Sequence, residues 1–111
     1  MLFKTESLGH ASVVKVPDSI FFDSVADFDK TIQEAEDSGS EAVIIDLTGA
    51  EMICSSAITT LVKHHMSMNA KNGKLFITGC NMSVKKILHL LGLDKVIGIT
   101  ETVDDALNTR A

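Results

Sequence analysis

Two adjacent serines, Ser55 and Ser56, stand where a loop gives way to a segment of helical periodicity. Serine at such a junction accepts hydrogen bonds from the unpaired amides of the first helical turn, so capping alone accounts for one there. A phosphorylatable serine asks for the same location. It needs an exposed hydroxyl, and the helix dipole and free amides tolerate the resulting dianion. Phosphate would add about two negative charges in the middle of any interface covering this helix end. Desolvating them against a partner without cations costs several kcal/mol, enough to switch an interaction off. The helix beyond offers a docking face through Thr59, Thr60, Lys63 and Ser67.

Other candidate chemistry is sparse. Asp46 ends an apolar strand, where ligands gather in open sheets, yet one carboxylate makes no acid–base pair and more commonly binds loop amides. Cys54 and Cys80 follow no CxxC or metal spacing and read as small buried thiols in a reducing compartment. His64 and His65 are adjacent, so on a helix they diverge by about 100° and cannot share a metal as an i, i+4 pair can. The expectation for them is surface or half-buried packing. His10 and His89 have no obvious partner. A Cys–His nucleophilic pair stays open as an alternative. The sequence contains no glycine-rich phosphate loop, no GxGxxG and no GxSxG.

These residues need a scaffold, and composition limits what it can be. The 111 residues are 45% hydrophobic and 23% charged, as expected for one folded domain spanning 1–111. All five aromatic residues are Phe, so the core is Val, Ile, Leu, Met and Ala, which suits helices packed on a sheet. A net charge of −5 repels nucleic-acid phosphates and anionic membranes. The basic stretch Lys63-His64-His65, with Lys71, Lys74 and Lys85-Lys86 further on, is too dilute for a nucleic-acid footprint. No signal peptide is legible at the N-terminus, and no apolar run approaches the roughly 18 residues of a membrane span. A cytoplasmic protein without cofactor or metal is expected.

The elements follow from periodicity. Leu2 to Ser7 and Ala11 to Val16 read as a hairpin turning at Leu8-Gly9 and ending at Pro17, the only proline. Val25, Phe28, Ile32 and Ala35 mark a helix capped by Asp23 or Ser24 and stopped at Gly39. The run Ala42 to Leu47 is the pattern of a strand buried on both faces. A helix from Ser55-Ser56 to Asn72-Gly73, a strand Lys74 to Thr78 and a helix capped by Asn81 or Ser83 come next. That third helix has the apolar stripe Val84, Ile87, Leu88 and Leu91. A strand Val96 to Ile99 and a helix Thr102 to Leu107 complete the chain. The order β-β-α-β-α-β-α-β-α implies an α/β fold: a mixed sheet of about five strands packed with about four helices.

The segment from Val43 to Thr100 resembles the centre and C-terminal half of the STAS domain, named for sulphate transporters and anti-sigma factor antagonists. Asp46-Leu47 matches the family's strand end, Ser55-Ser56 its serine pair, Ile58 an apolar position and Leu91-Gly92-Leu93 a late element. Phe21 to Gly39 resembles the first family helix more weakly. The resemblance implies a partner-switching antagonist of bacteria, a monomer or weak dimer that is not an enzyme. It would bind an anti-sigma factor with serine-kinase activity and be released by phosphorylation of Ser56, or of Ser55, with a phosphatase restoring it. Asp46, Cys54, Ala57, Thr59, Thr60 and Lys63 would contact the partner. Cys54 replaces the family's usual Asp and Ala57 its Gly, which removes an acceptor and stiffens the helix start. The alternatives are an accessory subunit of a larger assembly, such as a lipid-transport ATPase, and a small enzyme using Cys54 or Asp46.

Overall fold

The computed structural model describes residues 3–110. The element order is β1 (Lys4–Leu8), β2 (Ala11–Lys15), α1 (Val25–Asp37), β3 (Ala42–Asp46), α2 (Ser55–Ala70), β4 (Lys74–Thr78), α3 (Met82–Leu90), β5 (Gly98–Thr100) and α4 (Val103–Arg110). The sheet runs β1-β2-β3-β4-β5, antiparallel between β1 and β2 and parallel thereafter. Five strands in a mixed sheet with four helices is the architecture expected from the sequence. Leu2, placed in the first strand by its composition, lies outside the described residues.

Strand alternation divides the core in two. Val14, Val43, Ile45, Leu75 and Ile77 face one side and pack with Phe28 and Ile32 of α1, Leu61 of α2 and Leu88 of α3. Val13, Ile44 and Phe76 face the other side and pack with Ala106 of α4. Ile44 and Ile45 are both fully buried, so β3 is covered on both faces, as its uninterrupted apolar run requires. Each buried Ile or Leu side chain contributes about 1.5–3 kcal/mol.

Four local expectations change. The start of α1 is preceded by a 3-10 turn at Phe22–Ser24, and Ser24 makes no side-chain cap. The last strand is Gly98–Thr100 rather than Val96 to Ile99, because a second 3-10 turn at Leu93–Lys95 uses the residues before it. The last helix runs on past Leu107 to Arg110, while Thr102 stands at its start as expected, its hydroxyl accepting from the Asp105 amide at 3.1 Å. In α3 only Val84 and Leu88 are buried. Ile87 and Leu91, expected in the same core stripe, are exposed. Gly39 takes a left-handed position and ends α1 as the sequence suggested, and Gly92 does the same after α3.

Candidate functional site

The loops after β2, β3 and β4 meet at the carboxyl end of the parallel strands and together fix the start of α2. Ser19 Oγ accepts from the amides of Glu51 and Met52 at 3.2 and 3.0 Å. Ile20 pairs with Ile53 in an isolated parallel bridge, with Ile20 N donating to Met52 O and Cys54 N to Ile20 O. From the third loop, Asn81 Nδ2 donates to Glu51 O at 2.9 Å, while Asn81 Oδ1 caps α3 through Val84 N. The segment before the serines is therefore tied on two sides. The amides of Glu51, Met52 and Cys54 and the carbonyls of Glu51 and Met52 all serve to hold it in place.

Cys54, in an extended conformation, is the residue that begins α2, and no side chain caps that end. The capping role expected of the serines is thus not what holds them. Ser55 and Ser56 lie inside the first turn. Ser55 is exposed; Ser56 is half-buried, with its hydroxyl 3.3 Å from Cys54 Sγ. The carbonyls of both are used one turn on, Ser55 O by Thr59 Oγ1 at 3.2 Å and Ser56 O by Thr60 Oγ1 at 2.9 Å. Ala57 is fully buried, its methyl group in the core beneath the motif.

Asp46 holds its own loop: Oδ1 accepts from Thr48 N at 3.0 Å and from Thr48 Oγ1 at 2.5 Å. Gly79 packs against this turn with φ +72°, and a side chain there would run into Thr48. Burial pushes the Cys80 thiol up to about 11, which leaves it protonated and a weak nucleophile near neutrality.

The two flanks of α2 differ sharply. Toward α1, His64 is fully buried, with Nε2 2.6 Å from Asp29 Oδ1 and Nδ1 hydrogen-bonded to Glu36 Oε2. Both ring nitrogens face carboxylate oxygens, so the ring bridges α1 at two points. Ser67 Oγ donates to Glu36 Oε1 at 2.7 Å, and Lys71 Nζ lies 3.0 Å from the same oxygen. Lys63 Nζ sits 2.5 Å from Asp29 Oδ1. Burial pushes the Glu36 carboxyl up, but the hydrogen bonds from Ser67, His64 and Lys71 outweigh it and hold it below the usual range. For Asp29 the hydrogen bond from Lys63 lowers the carboxyl, and His64 adds to it. Toward α3, by contrast, α2 leaves an open cleft of about 450 Å³ lined by Ser55, Ile58, Thr59, Ile87, Leu90 and Leu91.

Of the residues singled out in the sequence, Cys54, Ser55, Ser56 and Thr59 come together at one exposed end of α2. Thr60 is buried beneath them, Lys63 and Ser67 turn toward α1, and Asp46 serves its loop. His64 is not the surface or half-buried residue expected. It lies between Leu61 and Met68 at three- and four-residue spacing, and Glu36 lies four residues from Ile32, so both fall on apolar faces. That placement was the signal for the cluster. His89, without an obvious partner in the sequence, meets Asp94 Oδ2 at 2.7 Å. Among the described residues no group of His, Cys, Asp and Glu is arranged to hold a metal. No helix among them is long and apolar enough to cross a membrane.

A five-stranded mixed sheet presenting a serine pair at a helix start defines a class of small α/β folds. The profile of the STAS domain matches residues 3–106, and the chain belongs to that family. Among solved structures, an anti-sigma factor antagonist from Mycobacterium paratuberculosis is 25% identical, with a TM-score of 0.83 over 97% of this chain and 92% of that one. TM1081 of Thermotoga maritima superimposes with a TM-score of 0.90 at 18% identity, covering 96% of this chain and 92% of the other. The Bacillus cell-fate determinant SpoIIAA in its phosphorylated form gives 0.76 at 14% identity, covering 99% of this chain and 100% of that one. Comparison with curated protein sequences gave no match.

Proposed function

We propose that this chain is a partner-switching anti-sigma factor antagonist, acting in the cytoplasm as a binding module rather than an enzyme. The observation that carries the reading is the serine pair, Ser55 exposed and Ser56 half-buried, on a loop–helix junction held by its neighbours, next to an apolar cleft. The partner is an anti-sigma factor with serine-kinase activity, bound through the start of α2 with Cys54 and Thr59 at the surface. Ala57, Thr60 and Asp46 support that surface from beneath, and Lys63 stands at its α1 side. Ser56 is the phosphate acceptor by its place in the motif, and Ser55, the more exposed hydroxyl, is the second candidate. Phosphate there adds about two negative charges without any need to refold the junction. Release follows from the cost of burying that charge, and a phosphatase reverses it.

The test compares wild type, Ser56→Ala and Ser56→Asp, with Ser55→Ala and Ser55→Asp alongside, for partners retained from the native cell. Wild type and the alanine variants should hold the partner, and the aspartate variant at the true acceptor should lose it. Equal retention by all five forms would sink the switch. Intact mass of the native protein should show a phosphorylated fraction.

A further inference from the structure

The charge of this chain is divided along its length. Residues 55–100 hold six lysines and one acidic residue, Asp94, whereas the rest holds fourteen acidic residues and four basic ones. An acidic protein thus carries a cationic side made of α2, β4, α3 and the turn that follows. Three of those lysines are engaged, Lys63 with Asp29, Lys71 with Glu36 and Lys85 with Glu101. Lys86 and Lys95 are exposed and have no ion-pair partner among the described residues. Asp94, the one acid of the region, is taken by His89.

The cleft between α2 and α3 lies on this cationic side. Leu90 is 72% exposed and Leu91 58%, on a helix whose opposite face is fully buried. Across the cleft stand Ser55, Ile58 and Thr59 of α2; further along the same helix Val62 is half-buried and Met66 exposed. From Ser55 to Met66 the helix runs about 17 Å, the length of three helical turns of a partner.

We propose that this cleft receives an acidic amphipathic helix of a partner protein. Its apolar ridge lies between Ile58 and Leu90-Leu91, and its acidic flank meets Lys86 and Lys95. Apolar groups walling a concave cleft fit a ridge better than they fit a flat bilayer. Among the described residues a second copy of this chain has no such helix to offer, because its acidic helices α1 and α4 turn Phe28, Ile32 and Ala106 into its own core. The proposal names the partner chemistry of the switching site and rests on that reading only for the effect of phosphate. Ser55 lines the mouth of the cleft, so a phosphate on the serine pair would stand against the acids of the bound helix.

The full chain, labelled with 15N, is titrated with a synthetic helical peptide of Leu and Glu in amphipathic register, and with its Leu/Lys counterpart. Sedimentation with vesicles of phosphatidylcholine and phosphatidylglycerol is run in parallel. The Glu peptide should shift amides of Ser55–Met66 and Lys86–Lys95, with affinity that falls as salt rises. Lys86→Glu combined with Lys95→Glu should weaken it roughly tenfold, since two exposed charge contacts are lost. Leu90→Ser should weaken it while leaving the spectrum of the free protein unchanged elsewhere. The proposal is overturned by equal binding of the Lys peptide, by shifts outside the cleft, by vesicle binding in place of peptide binding, or by self-association that fills the cleft. Aspartate at both Ser55 and Ser56 separates the two readings. Unaltered Glu-peptide binding by that form leaves the cleft standing and removes the switch. No peptide binding by wild type, with native partners still lost on aspartate substitution, removes the cleft and leaves the switch.

Discussion

Helix α2 has two flanks, and they are built on opposite principles. On the α1 side a fully buried histidine is surrounded by two carboxylates, a serine and two lysines, with both its ring nitrogens and both Glu36 oxygens engaged. On the α3 side the same helix faces an apolar cleft with leucines in solvent. The first arrangement fixes the helix, because a satisfied buried polar network tolerates only one geometry. The second leaves binding energy unspent until something docks. A presenting helix gains from both: it stays rigid while one face remains free, so a partner does not have to order it first.

The largest effect should come from breaking the closed flank. His64→Leu removes the imidazole between Asp29 and Glu36 and leaves Glu36 buried with only Ser67 and Lys71. Loss of one member of a buried ion pair costs about 3–5 kcal/mol, to be read from urea denaturation. His64→Leu combined with Glu36→Leu should be less destabilised than His64→Leu alone, because the stranded carboxylate is gone. Additive losses would mean that the two residues do not act as a unit.

The fold was legible where periodicity was strong, and the site only in part. The apolar run at Ala42–Asp46, the glycine stops at Gly39 and Gly92 and the Asn81 cap follow from local chemistry. The element order therefore emerged from the sequence without tertiary information. Ser55, Ser56 and Cys54 could also be placed at a helix start, but their division of labour could not. Sequence pattern makes serine the cap, whereas the bridge between Ile20 and Ile53 sets Cys54 in the N-cap position and both serines in the first turn. The His64 cluster escaped because its members come from positions 28 and 35 residues apart, joined only when α1 and α2 pack. Ile87 and Leu91 misled for the converse reason. An amphipathic stripe shows which residues are apolar, not whether anything covers them.

A second, smaller effect sharpens the contrast through pH. The Glu36 carboxyl is held below its usual range in the folded protein, while in the unfolded chain it titrates near 4.3. The folded state then binds fewer protons than the unfolded state in that window. Its stabilising contribution is present above about pH 5 and lost as pH falls through the folded value. Denaturation midpoints should drop on acidification, and Glu36→Gln, less stable near neutrality, should show a flatter acid limb. Asp29 acts in the same direction from a more exposed position, so the slope should diminish rather than vanish. A variant with an unchanged slope would mean that other carboxylates govern the acid limb.

The smallest effect concerns the open flank, and there the expected change in stability is close to none. Leu90 is mostly exposed, so its loss removes little buried area; Leu90→Ser should move stability by no more than about 0.5 kcal/mol. Leu88→Ala, two residues back along the same helix, provides the scale. That side chain is fully buried, and its truncation should cost about 2–5 kcal/mol. Urea curves of the two variants measure the difference directly. If Leu90→Ser approached the cost of Leu88→Ala, the cleft would already be filled in the free protein, and the two flanks of α2 would not differ as described. If it stays near zero, the leucine contributes nothing to the folded chain by itself, and its place on the surface is explained by what it binds.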